Sequence, residues 1–253
     1  MSGRPIVLKE PEYTDQQIKV LVEKLLDVCA DFNISLSDQQ AHDCLLHLLY
    51  VEQINSYINL TRITDLDEAL VLHLLDSLLL VRYFDSSDLA YLDMGTGAGF
   101  PGVPLAIATG ANGTFIDSVG KKVNAVNAII QKLQLKRAAA VHTRIEEYAL
   151  QKRGCFDIVV ARALAGMPIL IEYAAPFLSE HGRLVISKGN PQDDELISAC
   201  KAASICGLKL IQNDVYDLPS NLGHREVFIF ERESNPSISL PRPNGMARKN
   251  PLA

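Results

Sequence analysis

Asp93 sits near the end of the short apolar run Tyr91-Leu92-Asp93-Met94, and the next eight residues, GTGAGFPG, carry four glycines before an apolar stretch begins at Val103. An acidic strand end, a glycine-rich turn and a helix start together suit a cofactor that contains a nucleotide. Glycine turns through positive φ and leaves no Cβ between ligand and main chain, while the following helix offers unpaired N–H groups. Pro101 suits the first helical turn, where its missing N–H costs little. Gly97, Gly99 and Gly102 satisfy G-x-G-x-x-G, the pattern that seats a dinucleotide pyrophosphate. Asp93 opposes that assignment, because its charge repels a pyrophosphate. The sulfonium and ammonium groups of S-adenosylmethionine instead suit an acidic strand end followed by Gly95, Gly97 and Gly99. Downstream, TFID ends a second strand at Asp117, placed to accept hydrogen bonds from two ribose hydroxyls under either assignment. A tight surface turn also uses glycines this way, but it requires neither the flanking strand and helix nor Asp117.

The elements that must position this loop fall into two regions. From Thr14 to Tyr57 apolar residues recur at three and four, and Ser37 with Gln40 predicts a capping box opening a second helix. A third amphipathic helix is expected over about 66–83. Strands then read at 89–94, 113–117, 138–142, 156–160, 182–187, 208–216 and 225–231, with helix ranges from about 101, at 120–134, 168–178 and 193–206. Seven strands with intervening helices predict an α/β doubly wound sheet. The eight residues 217–224 are too few for a crossover helix, so the last two strands are expected to pair antiparallel at an edge. A mostly parallel sheet ending in one antiparallel strand is the class I methyltransferase arrangement, and it leaves no second half for a dehydrogenase substrate domain. The expected organisation is an N-terminal helical extension over 1–84, a Rossmann-like cofactor-binding core over 85–233, and a basic, Pro-rich extended tail over 234–253.

Composition fits a cytoplasmic enzyme. The chain has 253 residues, 48% of them hydrophobic, enough for one sizeable core with a small appendage. No apolar run reaches the length of a membrane span, and MSGRPIVLKEPEY lacks the apolar stretch of a signal peptide. Five scattered cysteines without C-x-x-C spacing argue against a disulfide framework and a zinc site. His42 and Cys44 would point to opposite sides of one helix, so with His47 they read as ordinary helix residues rather than metal ligands. The net charge of -6 disfavours nucleic acid, yet its distribution is uneven. Eight basic residues between Lys121 and Arg153 face only Glu146 and Glu147, and the tail adds Arg242, Arg248 and Lys249. A basic face on an acidic body suits a phosphate backbone, although solvated helix faces carry similar charges.

Over nearly its full length the chain resembles the bacterial small-subunit ribosomal RNA methyltransferase G family, also called glucose-inhibited division protein B. The resemblance rests on Asn59-Leu60-Thr61, His73-Leu74-Leu75-Asp76-Ser77, the block DMGTGAGFPGVPLA, Asp117-Ser118 with Lys121, Arg144-Ile145-Glu146-Glu147, Phe156-Asp157 with Ala161-Arg162-Ala163, Ser187-Lys188-Gly189, and His224-Arg225. PRPNGMARKNPL is similar to the basic ending of many Gram-positive members. Met94, where valine is commoner, and Glu226-Val227 are mild departures. The resemblance implies S-adenosylmethionine as cofactor, 16S rRNA or the small ribosomal subunit as partner, and N7 of a guanine near the decoding site as methyl acceptor. A monomer without membrane attachment is expected.

The residue chemistry suits that acceptor. Guanine N7 has an in-plane lone pair and no proton, so no general base is required, and alignment and electrostatics must supply the acceleration. Accordingly, the strand at 156–160 runs into Val159-Val160-Ala161-Arg162-Ala163 rather than the D-P-P-Y or N-P-P-F of amino-group methyltransferases, and no cysteine follows a proline as in cytosine-C5 enzymes. By resemblance, Gly95 and Phe100 seat the cofactor with the acidic Asp93 and the other loop glycines, Gly97 and Gly99. Asp117 holds the ribose, Ile145 and Glu146 flank the adenine, and Arg162 lies between cofactor and RNA. Lys121, Arg144, Lys188 and Arg225 match basic positions expected to contact RNA, as does Arg162. No catalytic base and no metal are expected. His73 and Asp76, three apart on one helix face, read as a structural pair holding the helical cap against the core. The competing functions are an NAD-dependent dehydrogenase, from the G-x-G-x-x-G match, and an RNA-binding module without catalysis.

Overall fold

The computed structural model describes residues 6–253, so the first five residues of the expected helical extension lie outside it. Two helices open the chain, α1 (Asp15–Asp31) and α2 (Asp38–Asn55). Both carry capping boxes: Thr14 and Gln17 satisfy each other's backbone N–H groups, and Ser37 and Gln40 repeat the device. The third helical rod is irregular. It begins as α3 (Leu66–Ala69), widens to π geometry over Leu70–Leu75, returns as α4 (Asp76–Leu78) and tightens over Leu79–Tyr83.

The rest is one seven-stranded sheet in the order β3-β2-β1-β4-β5-β7-β6. Its strands are β1 (Ala90–Met94), β2 (Asn112–Asp117), β3 (Ala138–His142), β4 (Phe156–Arg162), β5 (Leu178–Lys188), β6 (Leu208–Asp217) and β7 (His224–Arg232). The helices between them are α5 (Gly102–Thr109), α6 (Gly120–Lys132), α7 (Ile145–Gln151), α8 (Met167–Ala174) and α9 (Asp193–Cys206). The central strands are apolar on both faces, as a covered parallel sheet requires. Alternate residues feed separate layers. Tyr91, Ile158 and Val160 pack with the α1, α2 and α5 side, while Leu92, Val159 and Ala161 pack with the α8 and α9 side.

Several expectations are refined. β7 pairs antiparallel with β6, but it also pairs antiparallel with β5, so it lies one place inside the edge that β6 forms. β5 starts at Leu178 rather than 182, because Ser179-Glu180-His181-Gly182 reads as a turn and in fact passes through a register shift opposite β4. α7 fills a stretch where no helix range was expected, its seven residues being too few to show a period.

The tail is corrected outright. Instead of running extended, it folds back on the α8 and α9 side, where Leu240 and Ala247 are buried and Met246–Lys249 form the short helix α10. The Nε of Arg242 donates to Glu172 Oε1 at 2.7 Å, pairing a carboxylate that is almost fully buried. Among the described residues no helix is long and apolar enough to cross a membrane.

Candidate functional site

Beyond the C-terminal ends of β1, β2 and β4 lies a cavity of ≈ 400 Å³, lined by Gly95, Gly97, Asp117, Arg144, Ile145 and Glu146 among others. This is the crevice where open α/β sheets bind ligands. Asp117 organises it: Oδ2 accepts the Gly97 N–H at 3.1 Å and Oδ1 the Val119 N–H at 2.8 Å. Each carboxylate oxygen therefore keeps lone-pair capacity for a hydroxyl. The glycine turn is tied to the same strand end, since Gly95 and Thr96 both donate to the Ile116 carbonyl. Gly95 has φ +75°, which favours glycine, and a Cβ there would also push aside the tip of the Leu164 side chain. Ile145 opens α7, with Arg144 as the residue before it, and Glu146 Oε1 accepts the Gly245 N–H at 2.7 Å.

Asp93, Gly99 and Phe100 do not line this cavity. Asp93 was expected to face a cationic cofactor, but it is buried under α5 with Oδ2 accepting the Gly102 N–H at 3.0 Å. Burial pushes its carboxyl up to about 6, opposed by the Thr96 hydroxyl and then by the Gly102 N–H. Its role is to hold the far end of the loop to β1. Gly99 packs on His47 and Val103, and Gly102 on Asp93 and Phe115. Gly102 thus takes the close helix–strand packing place that the third glycine of G-x-G-x-x-G also fills. Gly99, the glycine that would let a pyrophosphate approach, packs on His47 and Val103 instead of lining the cavity, which speaks against a dinucleotide. The Phe100 ring is stacked on His73 at 4.6 Å and tilted against His47 at 4.3 Å.

Arg162, Lys188 and Arg225 gather instead in a second cavity of ≈ 380 Å³, with His73, Asp76 and Ser187. Ala163, at φ +52°, lines both cavities. Asp76 is the centre of the second: Oδ2 pairs with Arg162 Nη1 at 3.1 Å and with Arg225 Nε at 3.1 Å, and Oδ1 accepts from Ser187 at 3.3 Å. His73 and Asp76 do meet, but through Arg162, whose Nη2 lies 3.5 Å from His73 Nδ1. The expected basic set is therefore not uniform. Arg162 and Arg225 belong to this ion-pair cluster, and Lys188 pairs with Glu195 at 2.7 Å. Arg144 lines the first cavity, and Lys121 is exposed at the start of α6 and lines neither. Lys122, Leu164, Gly245 and Arg248 also line the first cavity, and sequence reading assigned none of them to the cofactor. Lys122 neighbours the assigned Lys121, whereas no local signal marks Gly245 or Arg248.

The two buried histidines give the site a signature in acid. Burial lowers His47 to about 3, and burial followed by the Arg162 charge lowers His73 to about 4. Both stay neutral in the fold, so the stability they contribute is present above their unfolded value near 6.5 and is lost as pH falls towards 4. Asp93, raised to about 6, has the opposite sign and loses its contribution as pH rises through that value. Urea unfolding should therefore show stability falling between about pH 6.5 and 4, with a shallower slope in His73→Gln by up to ~1.4 kcal/mol per pH unit. Equal slopes would mean that His73 is charged in the fold.

A seven-stranded sheet with its last strand antiparallel, and a glycine turn that meets a carboxylate at the end of the second strand, define a class I methyltransferase fold. A geranyl diphosphate methyltransferase structure shares it, with TM-score 0.51 at 10% identity, over 63% of this chain and 78% of that one. The profile of the rRNA small subunit methyltransferase G family matches residues 40–219, and the chain belongs to that family. The Ribosomal RNA small subunit methyltransferase G of Streptococcus suis is 37% identical, over 88% of this chain and 96% of its own length. That of Carboxydothermus hydrogenoformans is 36% identical, over 90% and 99%.

Proposed function

We propose that this protein methylates N7 of a guanine in 16S rRNA, using S-adenosylmethionine held in the first cavity, and that it does so in the cytoplasm as a monomer. The observation that carries the reading is that Ala163 lines both a cavity with a ribose-type carboxylate and a cavity rich in cations. The first fits the cofactor: Asp117 can accept from two ribose hydroxyls, and Gly95 and Gly97 leave main chain open beside it. When bound, S-adenosylmethionine supplies a methyl group on a sulfonium centre, a leaving group that needs no protonation. Arg162 and its neighbours then have to orient the guanine and exclude water.

The second cavity also suits an acceptor that carries no proton. Asp76 is committed to two arginines and Ser187, and both ring nitrogens of His73 have partners, Thr61 at 2.7 Å and Arg162. Neither is left to remove a proton. Single-turnover methyl transfer to undermethylated small subunits, with binding saturated, should hold its rate from about pH 8 to 6, the usual window of a general base. A steep loss across that range would mean that a base takes part. Calorimetric titration with S-adenosylmethionine and with NAD separates the dehydrogenase alternative, and an absence of methyl transfer would leave an RNA-binding module.

RNA contact is expected first from the cations without an acidic partner. Lys121→Ala and Arg144→Ala should each weaken RNA binding and lower the salt slope by about one unit. Lys188→Ala should change the slope less, because Glu195 already neutralises it. Wild-type slopes for Lys121→Ala and Arg144→Ala would make these residues ordinary surface charge.

A further inference from the structure

One wall of the first cavity comes from the folded-back tail rather than from the α/β core. Gly245 and Arg248 line the cavity, and both lie beyond residue 219, where the family match ends. Three hydrogen bonds hold this turn in place. The Gly245 N–H donates to Glu146 Oε1 at 2.7 Å, Asn244 Nδ2 to Glu147 Oε1 at 2.8 Å, and Arg248 Nη2 to the Leu164 carbonyl at 3.1 Å. They reach two separate walls, the start of α7 and the loop after β4. Below them the turn is pinned by buried Ala247 and by the Arg242–Glu172 pair.

We infer that residues 244–249 are part of the cofactor site and select its base. The inference rests on the first cavity being the S-adenosylmethionine site. Oε1 is held by the Gly245 N–H, which anchors Glu146 in the cavity lining, and on this inference its second oxygen is the one that reads the 6-position of the purine. A carboxylate oxygen only accepts, so it matches the 6-amino group of adenine and opposes the 6-oxo group of hypoxanthine. Without the turn, Glu146 becomes a mobile side chain at the edge of a wider cleft. Gly245 is thus a positioning residue acting through Glu146, and Arg248 secures the opposite wall at Leu164.

The test compares binding of S-adenosylhomocysteine and S-inosylhomocysteine by calorimetry. The variants are the full chain, a chain ended after Pro243, and the full-length double variant Asn244→Ala/Arg248→Ala. Ending after Pro243 keeps buried Leu240 and leaves Arg242 with Glu172, so the carboxylates that lose a partner are Glu146 in the cavity wall, which the missing turn uncovers, and Glu147 beside it. The full chain should prefer the adenosyl compound by about tenfold or more, the scale of one hydrogen bond lost and one acceptor opposed. In the shortened chain, adenosyl affinity should fall by about tenfold and the preference should collapse towards unity. The double variant should move in the same direction by a smaller factor. If the full chain binds neither compound, the cofactor reading itself is wrong. If the full chain binds and the shortened chain, folded by circular dichroism, keeps both affinity and preference, the inference is overturned. Should the shortened chain fail to fold, wild-type preference in the double variant overturns it equally.

Discussion

Asp117→Ala should weaken S-adenosylmethionine binding by about 2–4 kcal/mol, roughly a thirtyfold to thousandfold rise in Kd. The substitution removes two acceptors at once. It also strands the N–H groups of Gly97 and Val119, so the glycine turn loses a tie to β2. Asp117→Asn should cost less: one oxygen remains to hold a backbone N–H, while the amide nitrogen becomes a donor that opposes both the other backbone N–H and a ribose hydroxyl that donates. Calorimetry at fixed pH reads both variants. Unchanged affinity in Asp117→Ala, with the melting temperature preserved, would remove this residue from the site.

The second large effect is structural. Asp76→Ala should destabilise the fold by about 3–5 kcal/mol in urea unfolding, the cost of removing one partner from a buried ion pair. Here one carboxylate serves two guanidinium groups, each side chain less than a fifth exposed, so the substitution leaves two cations facing each other. Arg162→Ala should behave differently. Asp76 keeps Arg225, so stability falls less, but methyl transfer should drop even at saturating RNA because the residue lines the second cavity beside Ala163, which lines both. A loss below about 1 kcal/mol for Asp76→Ala would show that solvent reaches the pair and that its value is that of a surface ion pair.

The loop and Asp117 were legible because their chemistry is local: strand, glycines and a carboxylate about twenty residues on form a pattern that needs no knowledge of the rest of the chain. The burial of Asp93 away from the cavity was not legible, for a geometric reason. Alternation along β1 tells that Asp93 shares a face with Tyr91, opposite Leu92, but which face the ligand uses is decided by where α5 and the glycine turn pack. The basic residues were legible as charge and not as partners. The acids that pair with Arg162 and Arg225 come from Asp76, on a different element, whereas Lys188 finds Glu195 only seven residues away. The tail was the least legible part. Its prolines suppress any period, and its anchors at Glu172, Glu146, Glu147 and Leu164 all lie at least 70 residues upstream.

The place of β7 between β5 and β6 bears on how the chain is made. During synthesis β5 and β6 emerge before the strand that joins them, and β5 cannot pair with β6 in the final order until residues 224–232 have appeared. Until then β5 offers an open edge, a template for pairing with other chains. The half-sheet β3-β2-β1-β4, with the glycine turn and Asp117, is paired within itself by residue 162, and only β4 still awaits its parallel neighbour β5. Vectorial folding therefore has a natural pause: the nucleotide-facing half assembles first, and the last quarter of the chain is inserted as a wedge that seals the sheet.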